Sequence, residues 1–183
     1  MVRISLVSAL GAAALLSACA PSLGPPPPNA PPRVEGPPVS PTATFSAGDF
    51  AWSQRPGGNI IAGRVNYSEG GQRFTCAGSS VVLTPETPWS RRRMSALYGS
   101  SEQAALPTDE VRARTASAPP GDAGPYVKRT TCDEAGQFAF GGLADGAWYA
   151  ITIVRPARDP KGATVALMRR VVVRGGRTFP VAL

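Results

Sequence analysis

The chain of 183 residues contains no histidine, and only two of its 19 basic side chains, Lys128 and Lys161, are lysines. Without imidazole there is no Ser-His-Asp or Cys-His catalytic set and no His-based metal centre. Cysteine is scarce as well, with Cys19, Cys76 and Cys132 the only thiols, too few to build a thiolate metal site. The 12 acidic residues are scattered, and none sits in an apolar run that would raise its pKa. No cofactor or metal is expected, and a weak hydrolase working through carboxylates or Ser is the catalytic alternative left.

Glycine and proline, 20 of each, are plentiful, while aromatics make up only 7% of the residues. That balance favours short strands and turns over long helices, hence an all-β body. The net charge of +7, carried by arginine, draws a protein toward anionic surfaces such as lipid headgroups or polysaccharide. A coding bias toward arginine accounts for the same excess.

The first residues have the form of a secretory signal, with Arg3 before an apolar stretch from Leu6 to Leu16. That stretch falls short of the roughly 20 apolar residues that cross a bilayer. The residues Leu16, Ser17, Ala18 and Cys19 resemble the lipobox of bacterial lipoproteins. The resemblance implies cleavage after residue 18, a lipid on Cys19 and a place at the cell envelope. The outer membrane is favoured over the inner, because Ala20, not Asp, follows the cysteine. The alternative is an ordinary signal-peptidase site beside an unmodified Cys19. In that compartment nucleic acid is not an expected partner; the membrane, an envelope protein or a polysaccharide is.

Ten prolines fall between Pro21 and Pro41. Proline fixes φ and biases its predecessor toward extended backbone, so the tract is expected as a polyproline II spacer of roughly 60 to 70 Å. The expected organisation is therefore a signal at 1–18, a proline-rich tether at 19–44 and a folded domain at 45–183.

Within that domain seven runs rich in Val, Ile, Thr and aromatics, at 59–65, 79–84, 126–132, 137–143, 148–154, 165–173 and 178–183, are each bounded by Gly, Pro, Asp or Ser. They predict the strands of a seven-stranded β-sandwich. Asp133 and Gly136 suit the first and fourth positions of a type I turn. The period of two after it nominates Phe138, Phe140, Tyr149, Ile151 and Ile153 as the central core.

"IAGRV" with "SSVVL", then "TTCDEAGQFAFGGLADGAWYAITI", resembles the carboxypeptidase regulatory-like domain, a sandwich of the transthyretin type. Gly63, Val65, Asp133, Gly136, Phe138, Phe140, Leu143, Gly146, Tyr149, Ile151 and Ile153 occupy the places of the family pattern. The chain departs from it at Cys132, at an extra residue (Trp148) and in an insertion over 85–125. These are turn and core positions, so the resemblance implies a fold and no particular ligand.

Cys76 and Cys132 form an even pair in an exported chain and are expected as a disulfide, with two separate thiols as the alternative. In the insertion Ser90 is placed to cap one short helix that presents Met94, Leu97 and Tyr98 and stops at Gly99. Arg91, Arg92 and Arg93 then lie at its positive end, which an anion or acidic partner would relieve; the alternative, a solvated basic face, costs so little that it is the favoured reading. Residues 100–125 are expected as a mobile loop. The expected role is a lipid-anchored, non-catalytic module with a binding or structural function. The alternative is a carbohydrate- or peptidoglycan-binding module stacking sugars on Trp52, Trp89 or Trp148, against core packing of the same rings.

Overall fold

The computed structural model describes residues 44–183. The signal at 1–18, Cys19 and the tether up to residue 43 lie outside the described residues. Ten strands run in the order β1 (Asn59–Arg64), β2 (Ser68–Glu69), β3 (Gln72–Thr75), β4 (Ser80–Pro85), β5 (Gln103–Pro107), β6 (Lys128–Thr131), β7 (Gln137–Leu143), β8 (Gly146–Pro156), β9 (Val165–Val173) and β10 (Thr178–Ala182). Two helices, α1 (Pro88–Tyr98) and α2 (Thr108–Ala113), lie between β4 and β6. Seven of these strands coincide with the expected runs; β2, β3 and β5 were not expected.

The fold is an all-β sandwich. A three-stranded sheet, β10-β1-β7, faces a larger one whose central order is β5-β9-β8-β4-β6. β1 runs parallel to β10 and antiparallel to β7. Between the sheets lie Ile61, Phe138, Phe140, Leu143 and Val181 from one side and Val81, Leu83, Trp148, Ala150, Val154, Leu167 and Val173 from the other. Burial of apolar surface on this scale is the main stabilising force of the domain.

The Gly63 and Phe138 positions of the family-like pattern are cross-strand partners. A Cβ on Gly63 would stand 2.0 Å from the Phe138 ring, so the ring occupies the space that the missing side chain leaves. The Asp133 turn forms as expected: Gly136 N–H donates to the Asp133 carbonyl at 3.0 Å, and Gln137 N–H donates to Asp133 Oδ1 at 2.7 Å.

β8 corrects the expected core. Trp148, Ala150, Thr152 and Val154 are the residues buried toward the small sheet. Tyr149 and Ile151 point to the opposite face, and Ile153 there is 45% exposed. A shift of one residue exchanges the faces of a strand, and β8 turns Trp148 rather than Tyr149 toward the small sheet. The opposite face is covered by the insertion: Met94, Leu97 and Tyr98 of α1, with Ala118, pack on Tyr149, Ala166 and Met168. β8 is thus buried on both sides, which is why it is apolar at nearly every position.

The insertion is more ordered than expected. β5 pairs antiparallel with β9, with Ala104 and Leu106 turned inward beside Val111 of α2. α1 starts earlier than Ser90. Thr87 is its N-cap and Ser90 the third helical residue of a capping box, in which Ser90 N–H donates to Thr87 Oγ1 at 3.0 Å and Thr87 N–H to Ser90 Oγ at 2.7 Å. Pro88 opens the helix, and Gly99 at φ 72° closes it.

Cys76 and Cys132 are bonded, with Cα atoms 5.7 Å apart, and tie the β3–β4 connection to the β6–β7 turn. Closing a segment 56 residues long stabilises by about 4 kcal/mol in the chain-entropy description.

Candidate functional site

The disulfide marks one end of the sandwich, and beside it opens a cleft of about 670 Å³. Three loops wall it, together with Val65 just after β1. The β2–β3 hairpin turns on Gly70 and Gly71 at φ 56° and 77°, a pair of positive dihedrals that demands glycine, and brings in Gln72, Arg73 and Phe74. The β6–β7 turn adds Glu134, Ala135 and Gly136, and the segment after β8 adds Ala157 and Arg158.

Backbone hydrogen bonds hold the walls at fixed spacing. Phe74 N–H donates to the Tyr67 carbonyl at 3.1 Å, Ala157 N–H to the Arg73 carbonyl at 2.9 Å, and Val65 N–H to the Gly136 carbonyl at 2.8 Å. The half-buried Phe74 meets the Tyr67 ring edge to face, with centroids 5.2 Å apart and planes at 63°. Burial, and then the neighbouring Glu69, pushes the Tyr67 hydroxyl pKa up, so it stays a neutral donor. The cleft therefore combines an aromatic wall, two guanidiniums, one amide and a single carboxylate. Such a set binds polar ligands by directed hydrogen bonds.

A second hollow, broader and more open, lies on the outer face of the small sheet around Ala62, Ala139 and Pro180. Arg64, Thr131, Asp133 and Gln137 share its lining with these small side chains.

The residues singled out in the sequence lie elsewhere. Trp148 is fully buried and meets Trp52 at 67° and 5.0 Å. Trp89 is 2% exposed, and its Nε1–H donates to the Pro120 carbonyl at 2.8 Å. It belongs to an aromatic cluster with Phe45 and Phe50, and Phe50 in turn stacks on Tyr126 at 4.6 Å. Trp89 and Trp148 are buried packing residues, and the half-buried Trp52 packs on Trp148, so the three rings form no exposed coplanar pair.

The arginines at the start of α1 meet partners within the chain. The anion that the helix dipole calls for is supplied from within the chain, by Glu86 just before the helix. Arg91 forms an ion pair with Glu86 Oε1, and Arg170 Nε meets Glu86 Oε2 at 2.7 Å. Glu102 stands 3.9 Å from Arg91 and 3.8 Å from Arg170. Tyr149 Oη donates to Glu86 Oε1 at 3.4 Å, and burial pushes the Tyr149 pKa up to about 12. Arg93 donates to the Pro119 carbonyl at 2.6 Å and lies over the Trp89 ring. Arg92 is exposed beside Phe45 and residues 116–120. The network pins the insertion to the large sheet. Cys19, the proposed lipid site, lies outside the described residues.

Among the described residues no group of three His, Cys, Asp or Glu side chains is placed to hold a metal ion, and no helix is long and apolar enough to cross a membrane. The cleft residues Gln72, Arg73, Phe74 and Arg158 escaped the sequence reading. The pointer to them was "SEGGQ", whose paired glycines mark a hairpin between polar strands.

No family model matches the chain, and no curated protein matches it. Among solved structures it is similar to a candidate carbohydrate binding protein from Pseudomonas aeruginosa, 20% identical, with 76% of this chain and 96% of that chain covered and a TM-score of 0.53. What the two share is the fold, an all-β sandwich.

Proposed function

We propose that the chain is a lipid-anchored, non-catalytic glycan-binding module of the cell envelope, and that its binding site is the cleft beside the Cys76–Cys132 disulfide. The observation that carries the site is the convergence of Gln72, Arg73, Phe74, Glu134 and Arg158 on one opening held by backbone hydrogen bonds and a disulfide. Glycans are polyols, and they bind where planar donors and acceptors converge beside an apolar wall. A binding role fits better than catalysis, because Glu134 is the lone carboxylate among the lining residues and glycoside hydrolysis works with two. The fold-level neighbour is itself a candidate carbohydrate binding protein, which is consistent with this role.

The envelope address rests on the lipobox-like sequence ending at Cys19. A resident of that compartment meets peptidoglycan and surface polysaccharide, and the disulfide suits an oxidising setting. Titration of the purified protein with soluble peptidoglycan fragments and a panel of oligosaccharides tests the role. Binding that is lost in Gln72→Ala together with Glu134→Ala, two exposed lining side chains, at unchanged thermal stability, is the expected result, and silence across the panel rejects it. Growth with globomycin is expected to leave an unprocessed, signal-bearing precursor. Normal processing under the drug removes the lipid anchor from the proposal.

A further inference from the structure

We infer that the glycan taken by this cleft is acidic, bearing carboxylate or an equivalent anion. The inference rests on the cleft being a glycan site and adds the chemistry of its ligand.

Three observations carry it. Arg91, Arg112, Arg114 and Arg170 each have a carboxylate partner within the chain. Arg73 and Arg158 are exposed and line the cleft from neighbouring stretches; like Arg55, Arg64, Arg129 and Arg174 they form no ion pair among the described residues, but these two share one opening. Glu134 is the single acid among the lining residues, so the opening carries a net positive charge within a chain of +7.

The aromatic geometry points the same way. Neutral sugars are held largely by stacking on flat, accessible rings. Here Trp89 and Trp148 are buried, Trp52 packs on Trp148, and Tyr67 and Phe74 meet edge to face at 63°. No flat two-ring platform is offered among the described residues. What the cleft offers instead is a pair of forked guanidiniums, the geometry suited to carboxylate.

Isothermal titration of the full-length protein with two matched pairs tests this: a galacturonate oligomer against its methyl ester, and N-acetylglucosaminyl-N-acetylmuramic acid against chitobiose. The acidic member of at least one pair is expected to bind about tenfold or more tightly, with the preference shrinking as salt screens it. Arg73→Gln with Arg158→Gln is expected to abolish the preference without moving the melting temperature. Arg55→Gln with Arg174→Gln, which removes the same charge far from the cleft, is expected to keep it. Equal affinity within both pairs overturns the acidic ligand and leaves glycan binding standing, as does equal loss in the two double variants. No binding to any of the four overturns both.

Discussion

Arg170 on β9 donates through Nε to Glu86 Oε2 at 2.7 Å, across 84 positions of sequence. Glu86 has only 9% of its side chain exposed, so the pair stands in a poorly solvated setting and joins the insertion to the sheet on which it lies. Removing Glu86 leaves the Arg170 guanidinium and the Tyr149 hydroxyl short of an acceptor. Glu86→Ala is expected to cost about 2 to 3 kcal/mol in urea unfolding. Arg91→Ala, with a side chain about half exposed, is expected to cost no more than about 1 kcal/mol. Equal effects of the two substitutions would refute this ranking.

Gly57 sits against the β7–β8 turn. A Cβ there would lie 2.0 Å from the Leu143 carbonyl oxygen and 2.6 Å from the Ala144 Cα, both backbone atoms that cannot rotate away. Gly57→Ala is expected to destabilise by at least about 2 kcal/mol. Gly78 has open space around its Cβ position but a φ of 74°, so Gly78→Ala is expected to cost only about 1 kcal/mol of backbone strain. Thermal melts of the two variants provide the comparison.

The disulfide spans the cleft end of the domain. Cys76→Ser with Cys132→Ser is expected to lower stability by about 2 to 4 kcal/mol, and the urea midpoint of the variant is expected to match that of the wild type treated with reductant. If glycan binding is measured in parallel, it should weaken in the serine variant, because Cys76 lines the cleft.

Tyr98 and Tyr149 each have their pKa pushed up to about 12 by burial, from an ordinary value of 10.0. The folded state therefore keeps both phenols protonated after the unfolded chain has begun to lose its protons. The stability they contribute is fully present below pH 10 and is lost as the pH rises through about 12. Unfolding free energy is expected to fall steeply over that window, with a shallower fall in Tyr98→Phe and Tyr149→Phe. An unchanged slope in both variants would assign the alkaline transition to other groups.

Seven strands were legible because each apolar run ends in Gly, Pro, Asp or Ser, and turn chemistry is local. Phe138 and Phe140 were legible for the same reason, since one short turn sets their register. β8 was not, because "WYAITIV" is apolar at both parities and only a second covering layer explains why. The tryptophans were misplaced for lack of their partners: Phe45, Phe50 and residue 120 lie far from Trp89 in sequence and meet it only in the fold. The cleft escaped because its hairpin is short and polar, so it carries neither a hydrophobic period nor a chemical motif. What assembles it is the meeting of three loops, which no window of sequence contains.

The two-sided burial of β8 also bears on how this domain can change over time. A sheet that turns Tyr149, Ala166 and Met168 outward is no longer a soluble surface, so the stretch that covers it cannot be shed as an ornament. An insertion of this kind works as a ratchet: once the sheet beneath has traded polar for apolar residues, loss of the cover exposes an adhesive face.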